Sequence, residues 1–549
     1  MSFSYAGAGE PSLRDIDFRL AAGELVVIMG ASGAGKSTLA RCLNRAVPSY
    51  HAGALTGEVW IDGVERGDAD VAALAGVVAL VTQDFESQLL STNVALEVAF
   101  GLEQLGVPRD EMRARVALAL EMVGLGGFDR RDPSTLSGGE KQRLSIAAVL
   151  AMRPRLIVFD EPTTDLDPQG KREIFGVLRG LRDEGIGIVL IEHEPEACRA
   201  ADRLVLLRAG RIVADAAPGE VLRRVDQLTA AGVAASDLDR LAEALGYAGR
   251  FADAAHAAAE YVRRRGVAAP AVEPSRPRGE VIVAAAGVEF AYSGGPAVLR
   301  GASVEIRAGE MVALIGPNGS GKTTLSKHLN GLLSPTAGVV AVRGRDLRQL
   351  GLEDVAVDVA YVFQNPDHQI FAGSVREEVR FAVENLRLPE ADIAARSARA
   401  IAAVGLEGFE DADPFALGKG HRQRLAVASL LVLQPRLLIL DEPTTGLDVR
   451  EQREMMALLG RLRDAGSAVL VITHASWVVA EWADRCVVIE AGRIIFDGPV
   501  REFLASREIM ERAEFEEPEA TRVGREMGIV VRSMDELIGV RGRGSGVRG

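Results

Sequence analysis

Short runs that are apolar at every position recur along this chain: Leu25 to Met29, Leu156 to Phe159 and Ile188 to Ile191, then Val312 to Ile315, Leu437 to Leu440 and Ala468 to Ile472. Runs of this kind with β-branched residues predict strands buried on both faces of a parallel sheet, with helical segments between them. The fold class is therefore α/β. Val205 to Ala214 and Val487 to Phe496, each turning at an Ala-Gly, predict an antiparallel hairpin closing each half.

The runs come in two matching sets because the chain repeats itself. Gly30 to Ser37 (GASGAGKS) recurs as Gly316 to Thr323 (GPNGSGKT), 286 positions on, and Asp160-Glu161-Pro162-Thr163-Thr164 recurs as Asp441-Glu442-Pro443-Thr444-Thr445 at an offset of 281. Gln83 with Gln364 and His193 with His474 keep the offset of 281. Two homologous halves follow, with a seam near Gly266 to Gly279, where three prolines separate Ala-rich helical sequence from the strand-like Val281 to Val283.

Composition narrows the classes. The chain has 549 residues, 48% of them hydrophobic and 26% charged, which describes an ordinary globular protein with material for several cores. No apolar run approaches the roughly 18 residues of a membrane span. The start lacks the basic flank and apolar core of a secretory signal, and Cys42, Cys198 and Cys486 are too scattered for a disulfide framework, so a cytoplasmic, reduced setting is expected. A net charge of −14 argues against nucleic acid as a partner, because phosphate-backbone binding draws on lysines and arginines.

The repeated segments carry chemistry. GxxxxGK[ST] between a strand and a helix sets backbone N–H groups around a β-phosphate at the positive end of a helix dipole. Lys36 and Lys322 are expected to reach the β- and γ-phosphates, and the hydroxyls of Ser37 and Thr323 to hold Mg²⁺. Only six of the 63 basic residues are lysines, and two of those stand in these loops, where a compact ammonium fits between phosphates. Asp160 and Asp441, at strand ends, are expected on the Mg²⁺ shell. Glu161 and Glu442 are candidates to orient or deprotonate the attacking water. Gln83 and Gln364 can touch metal and water from a loop, and His193 and His474 can hydrogen-bond the γ-phosphate. Tyr5 and Tyr292 can stack on adenine, or equally belong to a core.

Leu136 to Arg143 (LSGGEKQR) stands 17 residues before Asp160-Glu161, and together with the P-loop it resembles the ATP-binding cassette family over nearly the whole chain, in two copies. The resemblance implies two P-loop NTPase domains in tandem, each a mostly parallel sheet core with an antiparallel β subdomain and a helical subdomain. The expected boundaries are 1–227 for the first cassette, 228–279 for a helical extension and Pro-rich linker, 280–505 for the second cassette, and 506–549 for a partly disordered C-terminal extension. The tail Thr521 to Gly549, ending in RGRGSGVRG, is expected to be solvated. The second half opens with a strand, Val281 to Phe290, before Tyr292; the first begins four residues before Tyr5, so an edge strand is expected to be missing there or to lie upstream of this start.

The family pairs two cassettes head to tail, with each ATP between the P-loop of one and the LSGG segment of the other. The cofactors implied are ATP and Mg²⁺, and the residues implied to hold ATP are Gly30, Gly33, Gly35, Lys36, Ser37, Thr38 and Tyr5, and Gly316, Gly319, Gly321, Lys322, Thr323, Thr324 and Tyr292. At the position of Ser137-Gly138-Gly139 the second half reads Gly418-Lys419-Gly420. Intramolecular pairing then implies two unlike sites: Lys322, Asp441, Glu442 and His474 facing Ser137, Gly138 and Gly139, and Lys36, Asp160, Glu161 and His193 facing Gly418, Lys419 and Gly420. The first of these is expected to do most of the turnover, since one lost transition-state donor commonly costs about 10² to 10³ in rate.

After each loop glutamine comes an acidic-x-Gln pattern, Gln83 to Gln88 (QDFESQ) and Gln364 to Phe371 (QNPDHQIF). The second is similar to the corresponding segment of energy-coupling factor transporter ATPases, importers of vitamins, vitamin precursors and metal ions. Ser374 to Phe381 and Thr92 to Phe100 resemble the helix that follows it. The resemblance implies an ATPase on the inner face of the membrane, partnered by a transmembrane coupling subunit and a small substrate-binding membrane subunit. A tandem sugar-importer ATPase is a near alternative, separated by the acidic-x-Gln segments. A soluble cassette ATPase acting on ribosomes or DNA is a more distant one: the seam is short and Pro-rich, unlike a long charged linker, and three scattered cysteines supply no zinc site.

Overall fold

The computed structural model describes residues 1–549 except 67–70, 83–87, 164–167, 194, 250, 268–278, 385–387 and 540–549. The chain divides into two compact units, Met1–Asp239 and Arg240–Gly549.

In the first unit a six-stranded sheet runs in the order Arg211–Ala216, Arg203–Arg208, Leu25–Met29, Gly187–Ile191, Leu156–Asp160, Val78–Val81. All neighbours are parallel except the edge pair Arg211–Ala216 with Arg203–Arg208. Leu25–Met29 and Gly187–Ile191 are buried at every position, which is why they read as unbroken apolar runs. The pairing of Leu25 with Ile188 and of Asp160 with Ile191 aligns the carboxyl ends of three strands along one edge of the sheet. Ligands of open α/β sheets bind at such an edge.

The second unit repeats the sheet as Val359–Val362, Leu437–Asp441, Ala468–Ile472, Met311–Ile315, Arg485–Glu490, Arg493–Pro499. Both expected hairpins form, with Ala209 and Gly210 in one and Ala491 and Gly492 in the other at positive φ, the conformation of a two-residue turn that matches strand twist. The antiparallel subdomains differ. The second unit has four strands in the order Ala297–Arg307, Val281–Ala291, Ala337–Val342, Arg345–Asp346, whereas in the first Ser2–Tyr5 pairs with Gly53–Thr56 and meets Leu13 through a single bridge from Phe3.

Each unit carries a helical subdomain: Val94–Gln104, Arg109–Met122 and Gly138–Ala151 in the first, Val375–Glu384, Glu390–Ala403 and Lys419–Leu431 in the second. Val98, Leu102, Leu120 and Leu144 belong to one apolar core with Phe159 and Leu190 of the sheet, so the third helix shares its core with the strand that ends at Asp160 and lies against the edge strand Val78–Val81. Val379, Ile401, Leu425 and Leu440 repeat the arrangement.

Order extends further toward the C-terminus than the Arg- and Gly-rich ending implies. Glu519–Glu526 and Met534–Ile538 are helical, with Val523, Val531, Met534 and Leu537 buried. Thr521, placed by composition in a solvated tail, is buried and donates its hydroxyl to the Val531 carbonyl at 2.7 Å. The apolar spacing of 520–537 outweighs the composition of the last ten residues, which lie outside the described residues. The helix Ala254–Arg265 belongs to this same unit: the Tyr261 hydroxyl donates to the Leu537 carbonyl at 2.9 Å, Arg265 donates to the Ile538 carbonyl at 2.8 Å, and Arg240 pairs with Asp535. Among the described residues, no helix is long and apolar enough to cross a membrane.

Candidate functional site

Each Gly-rich loop leaves the end of a central strand and enters a helix, Lys36–Leu43 or Lys322–Leu329. Glycine is required by contact as well as by φ. A Cβ on Gly30 would stand 2.2 Å from the Leu207 carbonyl oxygen, and one on Gly316 would stand 2.0 Å from that of Ile489. Gly35 and Gly321 open their helices in the left-handed region, at φ of 104° and 108°. The space beside Gly33 and Gly319 is open, so the loop forms a cradle on its outer side. The ammonium of Lys36 donates to the carbonyls of Gly30 at 2.8 Å and Ala31 at 3.0 Å; Lys322 does the same to Gly316 at 2.7 Å and Pro317 at 2.9 Å. Both lysines are buried, so each charge is held over the loop by those carbonyls.

At the strand end beside each loop stands a buried aspartate. Thr323 donates its hydroxyl to Asp441 Oδ2 at 3.2 Å, and Ser37 hydrogen-bonds Asp160. Burial pushes both carboxyls above their ordinary pKa, against the pull of those hydroxyls and of the nearby lysines. Asp160 Oδ1 is buried without a hydrogen-bond partner. A carboxylate and a hydroxyl are hard oxygen donors suited to Mg²⁺, which is bound through one or two protein groups plus substrate phosphates. Among the described residues, no group of three or more His, Cys, Asp or Glu is placed to hold a metal ion.

Glu161 and Glu442 follow in the left-handed backbone region, at φ of 55° and 48°, a conformation costing about 1 to 3 kcal/mol for a non-glycine residue and typical of sites where geometry is imposed. Each backbone N–H is pinned to the neighbouring strand, at Ile191 and Ile472 respectively. Those strands lead on to His193 and His474. His193 Nε2 lies 2.6 Å from Glu161 Oε1, while His474 Nε2 lies 3.9 Å from Glu442 Oε1.

The structure thus gathers loop, aspartate, glutamate and histidine in each unit, as the repeat implies. Tyr5 and Tyr292 stand at the side of the loop helix, their hydroxyls 3.3 Å from Thr38 Oγ1 and Thr324 Oγ1, and Tyr292 is 48% exposed. Gln364 is exposed just beyond the strand Val359–Val362; Gln83 lies outside the described residues. Ser137, Gly138 and Gly139 form the start of the separate helix Gly138–Ala151. There Ser137 accepts from the Glu140 N–H at 3.3 Å and Glu140 accepts from the Ser137 N–H at 2.7 Å, a reciprocal cap. In the second unit Gly418 holds the cap position with no side-chain hydrogen bond, followed by Lys419, the buried Gly420 and His421.

Two residues near these sites escaped the sequence reading. Tyr361, on the strand Val359–Val362, is buried and donates its hydroxyl to Asp441 Oδ2 at 3.0 Å. Glu192, next to His193, is buried and accepts from the Thr163 hydroxyl at 2.7 Å. The repeat held the signal: their counterparts at the 281 offset are Leu80 and Thr473.

Comparison with known proteins gives a consistent picture. The family model described as ABC transporter matches residues 13–164 and 299–445. A provisionally named ABC transporter ATP-binding protein of Caldanaerobacter subterraneus subsp. tengcongensis is 42% identical, with 96% of this chain and 95% of that protein covered. Provisionally named ABC transporter ATP-binding proteins of Methanosarcina acetivorans and Enterococcus faecalis are 38% and 33% identical, each over 96% of this chain and over 90% and 94% of the relative. Among solved structures, cbiO1 from Clostridium perfringens, described as part of the ABC transporter complex cbiONQ, is 34% identical over 42% of this chain and 94% of that one, with a TM-score of 0.40. With two matched P-loop domains in one chain and relatives matched along almost their whole length, the protein belongs to the ABC transporter family and is an ATP-hydrolysing, ATP-binding subunit of a transporter.

Proposed function

We propose that the chain is the energy-coupling ATPase of an energy-coupling factor type importer, taking up a vitamin, a vitamin precursor or a metal ion. The observation that carries this reading is the surface after the loop glutamine. Phe371 and Phe381 are 60% and 50% exposed, with ring centroids 4.7 Å apart in an edge contact. The buried Glu378 accepts from the N–H groups of Phe371 at 3.0 Å and Ala372 at 2.9 Å, and so holds that turn against its own helix. Glu97 does the same for Leu90 and Ser91, beside the exposed Leu90 and Phe100. Two rigid apolar steps at the same register suit two helices of an integral membrane partner, docked from the inner face of the membrane.

In this reading Lys36 and Lys322 exchange the carbonyls of their own loops for the β- and γ-phosphates of ATP, and the loop N–H groups bind the β-phosphate. Ser37 with Asp160 and Thr323 with Asp441, joined by Gln83 and Gln364, would hold Mg²⁺, and the ion would supply charge neutralisation for the transferred phosphoryl group. Glu161 and Glu442 orient and deprotonate water, His193 and His474 hydrogen-bond the γ-phosphate, and Tyr5 and Tyr292 stack on adenine. Ser137, Gly138 and Gly139 form the intact nucleotide-contacting segment, and Gly418, Lys419 and Gly420 the degenerate one.

The test is affinity purification of the tagged chain from detergent-solubilised membranes with mass spectrometry of what accompanies it. Small, very hydrophobic integral proteins are the expected partners. Recovery of ribosomal or DNA-repair proteins with no integral partner would leave the ATPase standing and remove the importer assignment.

A further inference from the structure

The second site contains a buried polar chain that the first lacks. Ser326, in the loop helix, donates its hydroxyl to the Thr323 carbonyl at 2.9 Å and stands 3.4 Å from the Tyr361 hydroxyl, and Tyr361 donates to Asp441 Oδ2 at 3.0 Å. Thr323 reaches the same oxygen at 3.2 Å. In the first unit the corresponding residues are Ala40 and Leu80, both without a side-chain donor. The strands superpose in register, because Tyr361 pairs with Ile439 as Leu80 pairs with Val158, so the difference lies in the side chains. Asp160 keeps one buried oxygen without a partner, whereas Asp441 Oδ2 has two donors fixed by separate elements, the loop helix and the edge strand.

A buried phenol costs free energy unless its hydroxyl is satisfied, and the Asp441 carboxylate supplies that partner. The strand that carries Tyr361 continues to Gln364 and the segment Asn365 to Phe371. Tyr361 therefore ties Asp441 to the strand leading into the exposed aromatic step.

We propose that Tyr361 is a positioning residue of the second nucleotide site alone, its hydroxyl fixing the Asp441 carboxylate in the orientation that receives a divalent cation. The inference rests on the Mg²⁺ reading above and assigns to Ser326 the role of holding the phenol in place. With a hydrogen bond to a charged group at stake, loss of the hydroxyl weakens cation binding about tenfold.

The experiment uses the full chain carrying Lys36→Ala, which restricts nucleotide to the second site, with Mn²⁺ as the probe and adenylyl imidodiphosphate as the nucleotide. Free Mn²⁺ is read by electron paramagnetic resonance, and nucleotide affinity is measured separately without metal. Tyr361→Phe is expected to weaken Mn²⁺ about tenfold and to change metal-free nucleotide affinity less than twofold. Ser326→Ala is expected to weaken Mn²⁺ two- to threefold and serves if Tyr361→Phe does not fold. In the complementary chain carrying Lys322→Ala, Leu80→Tyr with Ala40→Ser is expected to tighten Mn²⁺ at the first site. Unchanged or tighter Mn²⁺ binding in Tyr361→Phe, or an equal loss of metal-free nucleotide affinity, would overturn the proposal. Failure of the parent chain to bind Mn²⁺ at all would instead remove the metal assignment on which it rests.

Discussion

His193 and Glu161 are joined by a contact of 2.6 Å, whereas the homologous His474 and Glu442 stand 3.9 Å apart. A carboxylate oxygen already engaged by an imidazole has one lone pair fewer with which to receive a proton from water. Glu442→Gln is expected to lower steady-state ATP hydrolysis at least tenfold, and Glu161→Gln less than threefold, both read with the purified chain at saturating ATP. Equal losses would show that the two glutamates work alike.

The loops themselves extend the comparison. Lys322→Ala should remove most of the ATPase activity and Lys36→Ala a minor part, although each is expected to abolish nucleotide binding at its own loop, because only the second unit's glutamate, Glu442, stands clear of its histidine. Hydrolysis and binding of a fluorescent ATP analogue, measured side by side, separate the two effects.

The degenerate segment is open to repair. Ser137 and Glu140 cap their helix reciprocally, while Gly418 brings no side-chain acceptor and Lys419 places a cation at the positive end of the helix dipole. Gly418→Ser with Lys419→Gly and His421→Glu is expected to stabilise the second unit by about 1 kcal/mol, raising its Tm by about 2 °C. In a chain carrying Lys322→Ala, the same triple change should raise ATP hydrolysis about tenfold. A stability gain without an activity gain would mean that the segment caps a helix and completes no site.

The aromatic step gives a prediction of a different kind. Phe371→Asp with Phe381→Asp should abolish recovery of integral membrane proteins with the tagged chain while ATP binding persists, since both side chains project from the surface of the helical subdomain. Leu90→Asp with Phe100→Asp tests the first unit in the same way.

The repeat made much of this legible. Lys36 with Lys322, Asp160 with Asp441 and His193 with His474 were found because chemistry-bearing residues recur at fixed offsets, and unbroken apolar runs located the strands that end at them. Tyr361 was hidden because an aromatic residue between Ala360 and Val362 reads as core until its hydroxyl is seen on Asp441. Glu192 was hidden because a carboxylate beside a histidine reads as solvated until Thr163 is seen donating to it. Composition misjudged the C-terminus for a related reason: ten Arg- and Gly-rich residues drew attention from the apolar positions of 520–537 that pack inside the second unit. Tyr361 and Glu192 meet partners 80 and 29 positions away, which local pattern does not record, whereas the C-terminal helices were legible in local apolar spacing that composition overrode.

The clasp between Tyr261 and Leu537 has a mechanical consequence. Among the described residues, the first and last helical segments of the second unit meet in one small bundle, where Arg240 meets Asp535 and Arg265 meets the Ile538 carbonyl. A pull arriving along the chain at Asp239 therefore meets the Arg240–Asp535 pair and this bundle before it reaches the helix that opens at Lys322 or the strand that ends at Asp441.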